Sequence, residues 1–370
     1  MCGVGGTVRR KTRAVRAGGL RIGGGAPVSV QGMTKTDTRD VAATTRAVAE
    51  LAAARCQLAR LAVPDAEAVA AFGRIRQGSP LPLCADIHFD HRLALAAIAA
   101  GADKLRINPG NIGSAARVRE VAAAARERGI PIRVGVNAGS LPAEVRRRHG
   151  GPTAAALCEA ALSEVAVLEA AGFGDIVISV KAHDVFVTLD AYRLLAAACD
   201  YPFHAGITEA GPGRSGLVRS AAGLALLLAE GLGDTLRVSL TAPAVEEVLA
   251  GRDILRSLGL VAGAVIVSCP TCGRCQVDLM RVAEAVAEHL ADVERPIKVA
   301  VMGCPVNGPG EAKDADVGLA AGPGGAAIFR KGRVVRRVAP EEMVAALLAE
   351  IAVVLGAAPS CAGNGESQKE

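Results

Sequence analysis

The residues with the clearest chemistry in this chain are Cys269-Pro270-Thr271-Cys272 and, further on, Gly303-Cys304-Pro305-Val306-Asn307-Gly308-Pro309-Gly310-Glu311. A Cys-x-x-Cys pair can set two thiolates on one metal centre. A third cysteine arriving from a Gly/Pro loop can complete three corners of a cubane iron–sulfur cluster, with backbone N–H groups free for its sulfides. Cys275 extends the first run to Cys269-x2-Cys272-x2-Cys275, and spacing alone would take Cys275 as the third ligand. That choice leaves Cys304 and its Gly/Pro loop unexplained, so Cys304 is the favoured ligand. A second set of residues is cationic: Arg60, Arg106, Arg133, Lys181 and Arg237 each interrupt or end a run that otherwise reads as buried strand. An unpaired cation there would cost several kcal/mol, of order 3–5, so an anionic partner is expected, and cations converging at one mouth describe a phosphate or diphosphate pocket. The bland alternative is pairing with Asp86, Glu209 or Asp37. Asp86-Ile87-His88 and the stretch from His204 to Glu209 add groups able to move protons, with Glu209 on a Gly-flanked loop the better acid and His204 the more ordinary structural histidine. Gly110-Asn111-Ile112-Gly113 could offer backbone N–H groups to the same anion.

The elements that must position these groups are visible as alternating short apolar runs and Ala/Leu-rich helical stretches. Strands are expected at Pro27 to Gln31, Gln57 to Val63, Leu81 to Ala85, Lys104 to Asn108, Pro131 to Val136, Asp175 to Val180, Phe203 to Ile207 and Leu236 to Leu240. Helical patterns follow them, for example Asp40 to Ala53, Asp65 to Arg76, His91 to Ala100, Thr153 to Ala171 and Leu217 to Glu230, and the alternation ends near Leu258. Successive β-then-α units on this scale argue for an α/β fold, an N-terminal (β/α)8 TIM-type barrel over residues 1–259. A smaller α+β domain is expected over residues 260–356, with strands at Ala264 to Val267, Lys298 to Val301, Ala326 to Phe329 and Val334 to Val338 and helices at Val277 to His289 and Glu341 to Leu355. The Gly/Ser/polar stretch 357–370 reads as a disordered tail.

Composition narrows the classes. The chain has 370 residues, beyond the roughly 250–300 at which one hydrophobic core stops growing. Apolar residues make up 51% but aromatics only 2%, so the core must be built from Ala, Val, Leu and Ile. The net charge of +5 is modest and, apart from Arg9 to Arg16, dispersed, which argues against a nucleic-acid partner. The absence of a signal-peptide pattern and of a long apolar run argues against a membrane partner and for a cytoplasmic protein. Cys56, Cys84, Cys158 and Cys199 lie in apolar segments and read as packing residues, and Cys2 and Cys361 lie near the ends.

The set Val30-Gln31-Gly32-Met33-Thr34, Ala85-Asp86-Ile87-His88-Phe89, Leu105-Arg106-Ile107-Asn108-Pro109-Gly110-Asn111, Arg133-Val134-Gly135-Val136-Asn137, Gly206-Ile207-Thr208-Glu209-Ala210, Ser268-Cys269-Pro270-Thr271-Cys272-Gly273-Arg274 and the Gly303 to Glu311 loop, in that order, resembles the 4-hydroxy-3-methylbut-2-enyl diphosphate synthase family of the non-mevalonate isoprenoid pathway. The resemblance covers Gly18 to Leu355. It implies an oxidoreductase that reductively opens and dehydrates 2-C-methyl-D-erythritol 2,4-cyclodiphosphate, with two electrons entering through a [4Fe–4S] cluster held by Cys269, Cys272, Cys304 and Glu311. A hard, exchangeable glutamate oxygen on one iron can yield to a substrate oxygen, which a fourth thiolate would not favour. By the same resemblance Arg60, Arg106, Arg133, Lys181 and Arg237 hold the diphosphate with Asn108, Asn137 and Ser239, Asp86 and His88 belong to the same substrate pocket, and Glu209 assists proton delivery. Flavodoxin or ferredoxin is implied as electron donor, and a head-to-tail homodimer as the assembly.

The chain departs from that family's pattern at Cys275, where a non-cysteine is usual, at Lys35 in place of Asn, at Gly32 in place of Ser, and at Thr241-Ala242-Pro243, which lacks an expected Asp. Two other classes compete. One is an anion-binding pterin-type barrel transferase with a structural metal site, weakened because zinc ribbons supply two Cys-x-x-Cys pairs and Cys304 has no such partner. The other is a non-catalytic electron carrier, which would have no use for a cationic barrel.

Overall fold

The computed structural model describes residues 8–275, 277–304, 310, 313–322 and 324–356; Cys2, Glu311 and Cys361 lie outside them, as does the stretch 357–370 expected as a tail. The chain divides into two compact units between Val261 and Ala262. In the first unit a hairpin, β1 (Ala14–Ala17) and β2 (Leu20–Gly23), precedes eight parallel strands: β3 (Ser29–Met33), β4 (Leu58–Ala62), β5 (Leu83–Asp86), β6 (Lys104–Ile107), β7 (Ile132–Asn137), β8 (Ile176–Lys181), β9 (His204–Ala205) and β10 (Thr235–Leu236). Their order is β8-β7-β6-β5-β4-β3-β10-β9, and the two edge strands meet at a parallel bridge between Ile178 and Phe203, where the Ile178 N–H donates to the Pro202 carbonyl at 3.0 Å. A sheet closed in this way has an axis, and that axis is where the cations go.

Side chains alternate across a strand, so each barrel strand presents one parity to the helices and the other to the axis. Ala59 and Leu61, Ala85, Leu105 and Ile107, Ile132 and Val134, and Ile176 and Ile178 join the buried layer packed under the helices. The opposite parity carries Arg60, Asp86, Arg106, Arg133 and Lys181, and its first members Leu58, Cys84 and Val177 pack with Val15, Ala17 and Ile22 of the hairpin. The hairpin therefore plugs the N-terminal end of the barrel, leaving the C-terminal end for chemistry. It was not expected from the sequence, because two four-residue strands separated by Gly18-Gly19 carry too little pattern. Gly18, at φ +56°, makes that turn. The basic Arg9 to Arg16 segment holds it down: Arg9 pairs with Asp234 at 3.0 Å, and the Arg10 guanidinium lies 3.9 Å from the centre of the Phe203 ring.

Helices return the chain between strands, and their starts are set by side-chain caps. Asp40, Asp65, Thr153 and Asp184 accept backbone N–H groups at the starts of helices Val41–Ala53, Ala66–Gly78, Ala154–Ala170 and Val185–Ala198. The strands expected at Phe203 to Ile207 and Leu236 to Leu240 are present but shortened to two-residue ladders.

The second unit is a five-stranded sheet in the order β11 (Ala264–Ser268), β12 (Ile297–Met302), β13 (Val317–Gly322), β14 (Gly325–Arg330), β15 (Arg333–Val338). Helices Leu279–Leu290 and Met343–Val354 cover it, the first through Leu279, Val282, Val286 and Leu290. The central strand β13 was missed because Val317-Gly318-Leu319-Ala320-Ala321-Gly322 is poor in strand-forming residues. Its Gly318 has a packing reason: a Cβ there would lie 2.4 Å from the Ala300 carbonyl oxygen and 2.5 Å from the Phe329 ring.

Candidate active site

The strand ends of the barrel bring the five expected cations onto one axis. Asp86 binds two of them, accepting from Arg60 Nη2 at 2.7 Å and from Arg106 Nη1 at 3.3 Å. Arg106 Nη1 also donates to His88 Nε2 at 2.7 Å, so Asp86, His88, Arg60 and Arg106 form one network at the ends of β4, β5 and β6. Burial of Asp86 opposes its charge, yet Arg60, the His88 contact and Arg106 hold its carboxyl far below the usual carboxylate range. Lys181 reaches across the ninth strand: a Cβ on Gly206 would lie 2.6 Å from its amine and 2.7 Å from the Arg237 carbonyl oxygen. Arg237 Nη2 binds Glu247 at 3.2 Å, so its partner is a carboxylate that the sequence did not single out. Asp37 and Glu209, the other proposed counter-ions, take no part: Asp37 pairs with Arg39 at 2.7 Å.

Arg133 is the outlier. It is 3% exposed, it makes no salt bridge among the described residues, and its Nε and Nη1 have no hydrogen-bond partner. Burial, then repulsion from Arg60 and Arg106, pushes its guanidinium well below its ordinary pKa. Lys181 is depressed likewise, by burial and then by Arg133, Arg237, Arg60 and Arg106. Each of these groups thus stands in the field of the others, and a multivalent anion placed among them would relieve both the repulsion and the missing hydrogen bonds.

Asn137 shares the axial parity with Arg133, four residues along β7, and Asn108 and Ser239 follow Arg106 and Arg237 by two residues just past the ends of β6 and β10. The Oδ1 of Asn108 is buried and unpartnered among the described residues, and Asn137 stands opposite Lys181 in the sheet register. Glu209 is exposed, makes no hydrogen bond or ion pair among the described residues, and adopts φ +52°, a conformation of the kind that concentrates at functional loops. The Gly110 loop behaves otherwise than expected: its N–H is taken by the Glu164 carboxylate, so it is not free for an anion. His204 lies deeper than the mouth. It is fully buried with both ring nitrogens unpartnered among the described residues, and burial with the surrounding cations keeps it neutral. Lys104, two residues before Arg106 and so on the same axial parity, is also fully buried with its amine unpartnered among the described residues, and burial pushes its pKa down to about 7. The period-2 pattern of Lys104-Leu105-Arg106 was the signal that could have found it.

In the second unit, parallel pairing of Ser268 with Val301 brings the C-terminal ends of β11 and β12 side by side. Cys269 follows β11 directly and Cys304 comes two residues after β12, the Cys269 N–H donating to the Val301 carbonyl at 3.1 Å. Cys269, Cys272 and Cys304 line one cavity of about 90 Å³ together with Met302 and Gly303. Cys275 is not part of that lining, and its thiol donates to the Val277 carbonyl at 3.3 Å. Gly303 N–H donates to Cys269 Sγ at 3.3 Å, and a Cβ at Gly303 would lie 2.5 Å from Cys275 Sγ, so only glycine fits between these sulfurs. Thr271, at φ +52°, turns the chain between the first two cysteines. Among the described residues no three His, Cys, Asp or Glu side chains are gathered as one metal ion would require. A cubane spreads its thiolates over separate irons, and a cavity walled by three cysteines with an inward backbone donor fits such a group. Glu311 lies outside the described residues.

An all-parallel α/β barrel with an axis crowded by cations, followed by a thiol-bearing α+β unit, defines a TIM-barrel enzyme for an anionic small molecule. Residues 12–252 match the GcpE TIM-barrel domain and residues 265–353 the GcpE protein C-terminal domain, and the chain belongs to this family. A relative from Geobacter sulfurreducens is 54% identical over 94% of this chain and 99% of its own length. Relatives from Ruminiclostridium cellulolyticum and Thermodesulfovibrio yellowstonii are 51% and 52% identical, each over 93% of this chain and 98% and 99% of their own lengths. All three are named 4-hydroxy-3-methylbut-2-en-1-yl diphosphate synthase (flavodoxin). Among the described residues no helix is long and apolar enough to cross a membrane.

Proposed function

We propose that this chain is a cytoplasmic oxidoreductase that converts 2-C-methyl-D-erythritol 2,4-cyclodiphosphate to (E)-4-hydroxy-3-methylbut-2-enyl diphosphate, a step in making isoprenoid precursors. The observation that carries the reading is the axial cation cluster, which among the described residues has more positive groups than carboxylates to meet them and leaves buried Arg133 without a partner. Relatives with the same name over nearly their whole length supply the reaction. The pterin-type transferase is not favoured, since both domain matches and the named relatives point elsewhere.

In this reading Arg60, Arg106, Arg133, Lys181 and Arg237 neutralise the diphosphate, while Asn108, Asn137 and Ser239 orient it. Asp86 and His88 hold Arg60 and Arg106 in place beneath the ligand. For the ionised diphosphate, ring opening takes up two electrons and one proton: a carbon–oxygen bond to phosphate breaks, a hydroxyl leaves as water and a carbon–carbon double bond forms. Glu209, exposed on its loop, is the group placed to give the proton to the departing hydroxyl. A [4Fe–4S] cluster held by Cys269, Cys272, Cys304 and Glu311 would supply the electrons one at a time, from flavodoxin or ferredoxin. A homodimer is part of the same reading.

The test is anaerobic reconstitution with iron and sulfide, followed by supply of the cyclodiphosphate and a strong one-electron donor. Formation of the open-chain allylic diphosphate, with iron content and turnover lost in Cys304→Ala and kept in Cys275→Ala, is the expected result. A fully loaded wild-type protein without turnover would overturn the reading.

A further inference from the structure

Lys35, on the loop after β3, stands 3.1 Å from Glu247 Oε1 and donates to the carbonyl oxygen of Leu240 at 2.9 Å and to that of Ala242. Glu247 belongs to helix Ala244–Ser257, and its side chain is 1% exposed. Its Oε2 takes Arg237 Nη2 at 3.2 Å, and its Oε1 also accepts the Leu240 N–H at 2.8 Å. One buried carboxylate therefore serves two cations and an amide. Arg237 and Glu247 alone would form a neutral pair, with the guanidinium's charge largely answered inside the protein. With Lys35 sharing the same carboxylate, the trio carries one net positive charge, and Arg237 Nε, buried and without a hydrogen-bond partner among the described residues, remains available. The carbonyl bonds of Lys35 also tie the loop after β3 to the segment Leu240–Ala242, next to Ser239.

We infer that Lys35 is a positioning residue for the diphosphate: by sharing Glu247 it leaves Arg237 cationic toward the substrate. The inference rests on the reading of the barrel as a diphosphate site, and deepens it. Lys35 acts through Arg237 and does not itself touch the substrate, so its effect must depend on the charge of Glu247.

The experiment is calorimetric titration of the purified chain with the cyclodiphosphate, alongside steady-state kinetics of the reconstituted enzyme, for wild type, Lys35→Met, Lys35→Gln, Lys35→Arg, Glu247→Gln and Lys35→Met/Glu247→Gln. Lys35→Met is expected to raise Kd and KM about tenfold, the effect of one weakened charge-assisted contact, with kcat little changed. Lys35→Gln, which can still donate to the two carbonyls, is expected to lose as much, and Lys35→Arg to recover most of the affinity. With Glu247 already neutral, removing Lys35 is expected to change Kd by less than about twofold, because the two residues act as one unit. Lys35→Met binding as wild type does, or the full loss persisting beside Glu247→Gln, would overturn the inference. Wild-type protein that fails to bind the cyclodiphosphate would instead overturn the diphosphate reading itself.

Discussion

Replacing Arg133 by methionine should stabilise the ligand-free protein while crippling its binding of anions. Arg133 is buried, has no salt bridge among the described residues, leaves two guanidinium nitrogens unsatisfied and is repelled by Arg60 and Arg106. Methionine keeps most of the volume and removes both the desolvated charge and the repulsion. Replacing poorly compensated buried ions by apolar side chains of similar size stabilises proteins by about 1–4 kcal/mol. At ~2–4 °C per kcal/mol for a domain of this size, the melting temperature should rise by several degrees. Binding should move the other way, since one charge-assisted hydrogen bond contributes about 1.5–3 kcal/mol, or ten- to roughly 150-fold in Kd. Thermal melts with and without the cyclodiphosphate read both at once: ligand at 100 times its Kd should add ~2.7 kcal/mol to the wild type and far less to the variant. A variant that melts lower than wild type without ligand would refute the argument, because Arg133 would then have a compensating partner inside the protein.

Asp86→Asn is expected to act in the opposite sense, destabilising the free protein by about 3–5 kcal/mol because Arg60 and Arg106 lose their shared counter-ion, with added diphosphate restoring part of the loss in a melt. Lys104→Met should stabilise the protein in a pH-dependent way. The Lys104 amine is pushed from 10.5 to about 7 on folding, so between those values the unfolded chain binds the extra proton and stability rises with pH. The gain from Lys104→Met should therefore be largest below pH 7 and vanish as pH approaches 10.5, and chemical denaturation at several pH values would show a flat difference if the amine is not desolvated. Gly206→Ala should raise KM and also lower stability, since its methyl would displace the Lys181 amine and press on the Arg237 backbone carbonyl; unchanged KM in the folded variant would show that Lys181 does not bind substrate.

The alternation of apolar strands and helices made the barrel legible, because a strand's period of two and a helix's period of 3.6 are written locally. The same period of two puts Arg60, Arg106, Arg133 and Lys181 on one face of their strands, and barrel closure makes that face the axis. The hairpin β1–β2 and strand β13 escaped because short or Gly-rich strands carry little local signal; their places are set by what they pack against, the floor of the barrel for one and the Phe329 ring for the other. Spacing alone pointed to Cys275, and only the Gly/Pro loop around Cys304 argued for Cys304 instead. The parallel pairing of β11 with β12 places Cys304 in the wall with Cys269 and Cys272 and leaves Cys275 turned to the Val277 carbonyl.

By itself the sequence determined the two-part α/β architecture, the family and the chemical types gathered at the strand ends. Tertiary structure alone decided which of those groups are answered and which are left wanting. Glu247 reaches Arg237 and Lys35, Glu164 takes the Gly110 amide, and Arg133 and Lys104 are left without partners among the described residues. Secondary structure follows from neighbours along the chain, whereas the energy of a buried charge depends on groups that only barrel closure brings within hydrogen-bonding reach.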